Sequence, residues 1–287
     1  MTFTRRRFVI LFHESATEQT LKNYYITRLA DHWREDGHDV IFCFGVSRAV
    51  PADLSIVHVD LSVVPDRYLE FARRYPIALN AKVRDIRKST ISRNLLRRDD
   101  VYDGRVIVKS DLNYAGAPER FLEPDGPGAV SLPSRLIAWY RRARSLKLDS
   151  PLDYRIYENL QQVPRRYFEQ KDLVVEKFLP ETDNGLYCTR NFHFLGDSMA
   201  CIRRKGRHPI VNSSTYVEVE RVDPHPEIVA MRESLGFDYG KFDYVVVDGR
   251  VVLLDVNKTI GWAGVPDTPA AKAMRRERAS GIYAYFR

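Results

Sequence analysis

Residues 8–12 (Phe-Val-Ile-Leu-Phe) form the first apolar run and carry no polar interruption. That is the pattern of a strand covered on both faces. Leu21, Tyr25, Leu29 and Trp33 then recur at four-residue spacing, and Gly37 closes the series. The spacing predicts one amphipathic helix ended by a glycine C-cap. Residues 39–44 predict a second strand, 54–59 a third, 65–75 a helix, and 77–80 a further short apolar segment. Strand, helix and strand at these lengths make a βαβ unit, so the opening of the chain predicts a small parallel α/β domain. It contains no G-x-G-x-x-G, so a dinucleotide-binding fingerprint is absent.

Residues 82–98 are strongly basic and place Ile86, Ile91, Leu95 and Leu96 at helical spacing. Residues 105–109 predict a strand that ends in Lys109. A loop with Gly116, Gly126 and Gly128 follows over 111–133, then a basic helix over 134–146 striped by Leu136, Ile137 and Tyr140. Residues 173–179 predict a strand halted by Pro180, and the last third is strand-rich, at 190–195, 199–203 and 215–220. A helix is predicted at 226–235, a hairpin about Asp248-Gly249 at 243–257, and a final helix at 270–278. Arg275, Arg276 and Arg278 complement the dipole of that last helix. The pattern divides the chain into 1–84, an N-terminal α/β domain; 85–172; and 173–287.

Composition narrows the classes. The chain has 287 residues, 44% hydrophobic and 11% aromatic, enough to bury a core and too apolar for disorder. Forty-five basic against 38 acidic side chains leave +7, which suits an anionic ligand. The doublets Arg73-Arg74, Arg97-Arg98, Arg141-Arg142, Arg165-Arg166 and Arg275-Arg276 are scattered beside acids, unlike a continuous nucleic-acid stripe. The expectation is therefore no nucleic acid. Cys43, Cys188 and Cys201 are far apart and odd in number, which argues against a disulfide framework and for a reducing compartment. No run approaches the ~20 apolar residues of a membrane span. The stretch Arg5-Arg6-Arg7 has a twin-arginine look, but the apolar run after it is too short for a signal region. A cytoplasmic protein with no membrane contact is expected, with a two-fold homodimer as the default assembly.

The hairpin concentrates the candidate chemistry. Asp243 and Asp255 each interrupt an otherwise apolar strand, and an unpaired carboxylate there costs several kcal/mol. Register decides whether they can share a cation. A two-residue Asp248-Gly249 loop sends them to opposite faces; a three-residue loop sends them to one face, and the odd loop is the expectation. Asn257, two residues past Asp255, shares its face. Asp243, Asp255 and Asn257 are then hard oxygen ligands suited to Mg²⁺. Taken alone, the hairpin fits a solvated edge with surface acids equally well. The seven histidines show no zinc spacing, and His193 between Phe192 and Phe194 reads as structural. Ser213-Ser214-Thr215 lacks a nucleophile-elbow pattern.

The motif D-x-x-x-x-D-G-x-x-x-L-L-D-x-N-x-x-x-G, from Asp243 to Gly261, resembles the metal-binding core of the ATP-grasp superfamily. The resemblance runs backwards through the chain in family order, from Asp85 onward. Lys109 at its strand end resembles the lysine that contacts nucleotide phosphates, and Asn113-Tyr114-Ala115-Gly116 the small-residue loop over the β- and γ-phosphates. Lys88 resembles the first ATP-contacting lysine. Glu176, Lys177, Phe178 and Leu179 resemble the strand that brackets adenine, with Glu181 or Asp183 as the ribose acid and Leu254 as a pocket wall. Arg190 and Arg203 fall where family members place a γ-phosphate arginine. The sequence differs from the family pattern in having Asp255 for Glu, Ile260-Gly261 for Pro-Gly, and fewer loop glycines.

The resemblance implies an ATP-grasp fold behind a small parallel α/β domain, α/β overall, with ATP and Mg²⁺ bound. It implies a ligase that activates a small-molecule carboxylate as an acyl phosphate for attack by an amine or thiol. Arg190, Arg203 and Lys109 would act on the transferring phosphoryl group. A small-molecule kinase and a nucleotide-binding protein without ligase activity are the alternatives. Substrate contacts are expected from the N-terminal domain and from 116–173, and His13-Glu14-Ser15 lies at a carboxyl end of the sheet.

Overall fold

Arginine and aspartate frame the first strand. Arg6 and Arg7 bond Asp53, and Arg5 and Arg7 bond Asp39, so the arginine run pins the entry of the sheet. The computed structural model describes residues 4–122, 153–212, 214–262 and 268–287. The helix expected at 134–146 lies outside the described residues, as do Gly126, Gly128, Arg141, Arg142 and Ser213.

Strands β1 (Arg7–Phe12), β2 (Asp39–Phe44), β3 (Leu54–Val57) and β4 (Ile77–Leu79) form a parallel sheet in the order β2-β1-β3-β4. The unbroken apolar run of β1 follows from its central place. Phe8, Ile10 and Phe12 pack with Ile26, Leu29 and Trp33, while Val9 and Leu11 pack on the other side with Tyr68, Leu69 and Phe71. Burying one such side chain contributes roughly 1.5–3 kcal/mol. The single helix expected from Leu21 is two: α1 (Glu18–Leu21) and α2 (Tyr25–Glu35). Tyr24 breaks it, because its extended backbone bridges to Gly261 and the Tyr25 N–H donates to the Ile260 carbonyl. Helix α3 (Asp66–Ala72) covers the other face.

The helical spacing of 82–98 yields only one turn, α4 (Lys88–Ile91). Tertiary pairing overrides the rest. The Leu96 N–H donates to the Val175 carbonyl, the Lys177 N–H donates to the Asn94 carbonyl, and Leu95 bridges Glu176. This segment thereby edges an antiparallel sheet of β5 (Val106–Ser110), β6 (Arg155–Tyr157) and β7 (Leu173–Lys177), ordered β6-β5-β7. Between β5 and β6 lies α5 (Ala117–Leu122). Strands β8 (Glu181–Asp183), β9 (Leu186–Leu195), β10 (Ser198–Gly206) and β11 (Tyr216–Val222) precede helix α6 (Pro226–Ser234). Strands β12 (Tyr239–Val247) and β13 (Arg250–Asn257) complete the largest sheet, ordered β11-β10-β9-β12-β13 with β8 on β9. The fold is thus α/β, one parallel sheet followed by two antiparallel ones.

The hairpin turn has two residues, not three. Asp248 and Gly249 have φ of 50° and 73°, the primed-turn conformation that Asp-Gly favours. Val247 pairs Arg250 and Tyr244 pairs Leu253, but the register then slips and Asp243 pairs Asp255. Leu254 is the extra residue of a β-bulge. Leu253 and Val256 both enter the apolar core, so Leu254 and Asp255 both turn to the opposite face. The two acids share a face because the bulge reverses the parity that the short turn set.

Helix α7 (Pro269–Ser280) and the 3₁₀ turn Gly281–Phe286 bring the chain end back against α2 and β9. The Trp33 Nε1–H donates to the Ala279 carbonyl at 2.9 Å, and Asp36 receives Arg276 at 2.5 Å and Tyr283 Oη at 2.6 Å.

Just beyond β3, His58 is wholly enclosed by the rings of Phe12, Tyr24 and Tyr239. Burial drives its pKa from 6.5 down to about 3. Between those pH values the unfolded chain binds a proton that the native chain does not. Stability is therefore full above about pH 6.5 and falls on acidification, by about 1.4 kcal/mol per pH unit from this group. Urea unfolding at pH 7, 6 and 5 should show this slope and show it reduced in His58→Phe. Identical slopes would mean that native His58 takes up the proton.

Candidate active site

Strand alternation divides the small antiparallel sheet into an apolar side and a cleft side. Val106, Val108 and Val175 join Leu96 and Tyr167 in a core. Residues of the other parity, Lys109 on β5 and Glu176 on β7, turn away from it and meet as an ion pair at 2.6 Å. Both are almost fully buried, and Glu176 Oε1 has no hydrogen-bond partner among the described residues. Lys88, at the start of α4, is buried as deeply; its Nζ lies 3.2 Å from Asp255 Oδ1 and 3.5 Å from the Leu112 carbonyl. Burial alone would lower its pKa, but Asp255, with help from Tyr154 and Glu176, raises it, so Lys88 stays charged. Tyr154, in turn, is pushed up to about 12 by burial and stays a neutral phenol. Two lysines and two carboxylates, from α4 and both antiparallel sheets, thus converge on one cleft.

On the large sheet, the cleft face carries a polar row. Asp255, Asp243 and Asn191 are successive cross-strand partners on β13, β12 and β9. Asn191 Nδ2 donates to Asp243 Oδ1 at 2.5 Å, and Arg204 Nη1 donates to Asn191 Oδ1 at 2.5 Å. Lys241, two residues before Asp243, holds its Oδ2 at 2.9 Å, and Lys241 is the cross-strand partner of Asn257. Asn257 Oδ1 accepts the Thr259 N–H at 2.7 Å, which fixes the amide at the strand end. The three hard-oxygen residues Asp243, Asp255 and Asn257 therefore share one face, and lysines supply their counter-charge. Two paired carboxylates, the buried Asp255 Oδ1 with the Lys88 ammonium as its counter-charge, plus one amide oxygen, fit Mg²⁺, which takes few protein carboxylates.

Arg190 and Arg203 do not join this row. They pair each other across β9 and β10 on the opposite face, in register with Phe192 and Cys201. Arg190 holds Glu181 at 2.8 Å, while Arg203 holds Asp183 at 2.8 Å and Glu220 at 2.5 Å. Lys205 adds a bond to Asp183, lowering its pKa. Glu181 and Asp183 thus serve as partners of this ion network. The arginine on the cleft face is Arg204. The triplet Arg203-Arg204-Lys205 cannot be parsed without strand phase, and only the pairing of Arg204 with Thr189 supplies it. Asn191 and Lys241 escaped sequence reasoning for the same reason. His193, paired with Lys241, lies on this face too, and burial lowers its pKa well below the ordinary value, so it stays neutral.

The 177–179 segment leaves the sheet after Glu176. The N–H groups of Lys177 and Phe178 are taken by the carbonyls of Asn94 and Arg105. Leu254, turned to the cleft face by the bulge, belongs to the opposing sheet. The Asn113–Gly116 turn follows β5 closely and has three successive left-handed residues: Tyr114 (φ 49°), Ala115 (55°) and Gly116 (71°). His13 and Glu14 close β1, where Glu14 pairs Arg67 at 2.6 Å and the His13 ring lies against Tyr68.

No family model matches the sequence, and no curated protein matches it. Solved structures do show similarity. A RimK domain protein ATP-grasp from Sphaerobacter thermophilus DSM 20745 is 11% identical, with TM-score 0.48 over 97% of this chain and 98% of that one. Macrocyclase MdnB from Microcystis aeruginosa MRC is 10% identical, with TM-score 0.44 over 96% and 99%. A D-alanine–D-alanine ligase from Bacillus anthracis is 10% identical, with TM-score 0.41 over 97% and 96%. Among the described residues, no helix is long and apolar enough to cross a membrane.

Proposed function

We propose that this chain is an ATP-grasp enzyme, an ATP- and Mg²⁺-dependent ligase that activates a small-molecule carboxylate for attack by an amine or thiol. One observation carries the reading. Lys88, Lys109, Glu176 and Asp255, drawn from four separated stretches of sequence, meet in one cleft and leave a buried carboxylate oxygen of Glu176 without a hydrogen-bond partner among the described residues. A polyphosphate needs this density of lysine beside acids that hold a divalent ion.

In this reading Lys88 and Lys109 bind phosphate oxygens. Glu176, the Lys177 and Phe178 carbonyls, the Leu179 N–H and the Leu254 side chain enclose the nucleobase. Asp243, Asp255 and Asn257 hold Mg²⁺, which when bound neutralises phosphate charge. Arg204 and Lys241 flank the acids and stabilise charge on the transferring group. A substrate carboxylate oxygen attacks the γ-phosphorus as its bond to the β-bridging oxygen breaks, releasing ADP. The amine nitrogen or thiol sulfur then attacks the acyl carbon, the carbon–oxygen bond to phosphate breaks, and phosphate leaves with the nucleophile's proton. Closure over the acyl phosphate must exclude water. The division at 84 and 172, the cytoplasmic setting and a homodimer belong to the same reading.

A thermal titration with a non-hydrolysable ATP analogue tests it. With Mg²⁺ and ligand at about 100 Kd, stability should rise by about 2.7 kcal/mol. No shift at millimolar analogue would overturn the nucleotide reading. ADP and free phosphate formed with an amide or thioester mark a ligase; a stable phosphoester would mark a kinase.

A further inference from the structure

Every backbone and hydroxyl group of Ser62 is engaged by a segment that borders the cleft. Its N–H donates to Glu119 Oε1 at 2.7 Å, on α5 directly after the 113–116 turn. Its Oγ accepts the N–H of Asn113 at 2.8 Å, at the first residue of that turn. Its carbonyl accepts the N–H of Ile86 at 2.9 Å, two residues before Lys88. The two preceding residues reach the tail of β13: the Leu61 carbonyl accepts Lys258 Nζ at 2.5 Å, and Asp60 Oδ1 accepts Thr259 Oγ1 at 2.5 Å. Ser62 itself is only 1% exposed, so its bonds are shielded from water.

The turn needs such an anchor. Left-handed backbone is costly for Tyr114 and Ala115, and residues held in it persist where their surroundings over-determine them. Its own support is local: the Ala117 N–H donates to the Tyr114 carbonyl, Arg120 Nη1 donates to the Ala115 carbonyl, and the Tyr114 side chain is exposed. Removing the Ser62 hydroxyl would leave the buried Asn113 N–H without an acceptor.

We propose that Ser62 is a positioning residue that seats the Asn113–Gly116 turn over the terminal phosphates of the nucleotide. The loop after β3 thereby completes the phosphate site, in addition to whatever substrate it meets. This rests on the nucleotide reading above. It makes a selective demand: ATP should feel the turn, while AMP, which has no β- or γ-phosphate, should not.

The test is calorimetric affinity of the full chain and of Ser62→Ala for a non-hydrolysable ATP analogue with Mg²⁺ and for AMP, with amide exchange followed at Asn113. Ser62→Ala should bind the ATP analogue about 5- to 10-fold more weakly, bind AMP as before, and exchange the Asn113 amide faster. Equal losses for both nucleotides would make the serine a general support and overturn the proposal, as would an unchanged affinity for the ATP analogue. Absence of affinity for the ATP analogue in the unaltered chain would overturn the nucleotide reading itself.

Discussion

Asp255→Asn should lose ATP turnover by about 10²–10³-fold or more, the scale of removing one charge-stabilising group from a phosphoryl or acyl transition state. It should also lose stability, and the two losses are separable. Lys88 is buried at 3% side-chain exposure with Asp255 as its ion-pair partner, so the change strands a cation. Breaking a buried pair costs about 3–5 kcal/mol; with Asp255 at 27% exposure, the lower end or somewhat less is expected. Lys88→Met combined with Asp255→Asn should recover most of that stability, because an apolar replacement removes the stranded charge. It should recover none of the turnover. Urea unfolding and coupled ADP release on the single and double variants read both quantities. Turnover retained in Asp255→Asn would remove this acid from the metal site, whatever its effect on folding.

Gly281→Ala should be the most destabilising single methyl added to the chain end. A Cβ there would lie 1.9 Å from the Leu195 carbonyl oxygen and 2.8 Å from Ser198 Cβ. Opposite it, a Cβ on Gly196 would meet the Gly281 carbonyl oxygen at 2.1 Å. Two backbones cross with hydrogen atoms as the only spacers, and neither can retreat. Leu195 is fixed by β9 pairing with β12, and Gly281 by the caps of α7. Overpacking a core usually costs about 1–3 kcal/mol, and a clash with backbone belongs at or above the top of that range. At about 2–4 °C per kcal/mol, the thermal midpoint should fall by roughly 6–12 °C. Met274→Ala, at a half-exposed position on α7, is the control expected to stay near the parent. A midpoint within two or three degrees of the parent for Gly281→Ala would mean that the end of the chain is not docked as described.

Much of the architecture was legible because period and punctuation agreed. Apolar runs at 8–12 and 39–44 gave β1 and β2 to within a residue, and Asp248-Gly249 marked its turn. Where one apolar pattern fits both a helix and an extended segment, tertiary pairing decides between them. Ile86, Ile91, Leu95 and Leu96 fit a helix as single residues, yet 94–96 is drawn into extended pairing with β7 by bonds to Val175 and Lys177, far along the sequence. Tyr24 sits inside a helical stripe, yet its backbone belongs to Gly261. For the cleft, Glu176, Asp243 and Asp255 could be found because each interrupts an apolar strand, whereas Lys88, at the start of a helical turn in a basic stretch, and Lys109 at a strand end stood out only through the family resemblance. Their arginine could not be found, since Arg203 and Arg204 differ only in strand phase.

The bulge at Leu254 bears on how the hairpin can vary. Turn length and strand length each carry a parity, and the acids meet only when the two parities sum correctly. A two-residue turn with one surplus residue satisfies the sum, and so does a three-residue turn with none. The parity that brings the acids together therefore has two spellings, separated by paired changes five residues apart, either of which alone sends one acid to the other face. Relatives with the same cleft could differ in the apparent spacing of their acids from the turn, and an alignment anchored on the turn would place the wrong residue opposite Asp255.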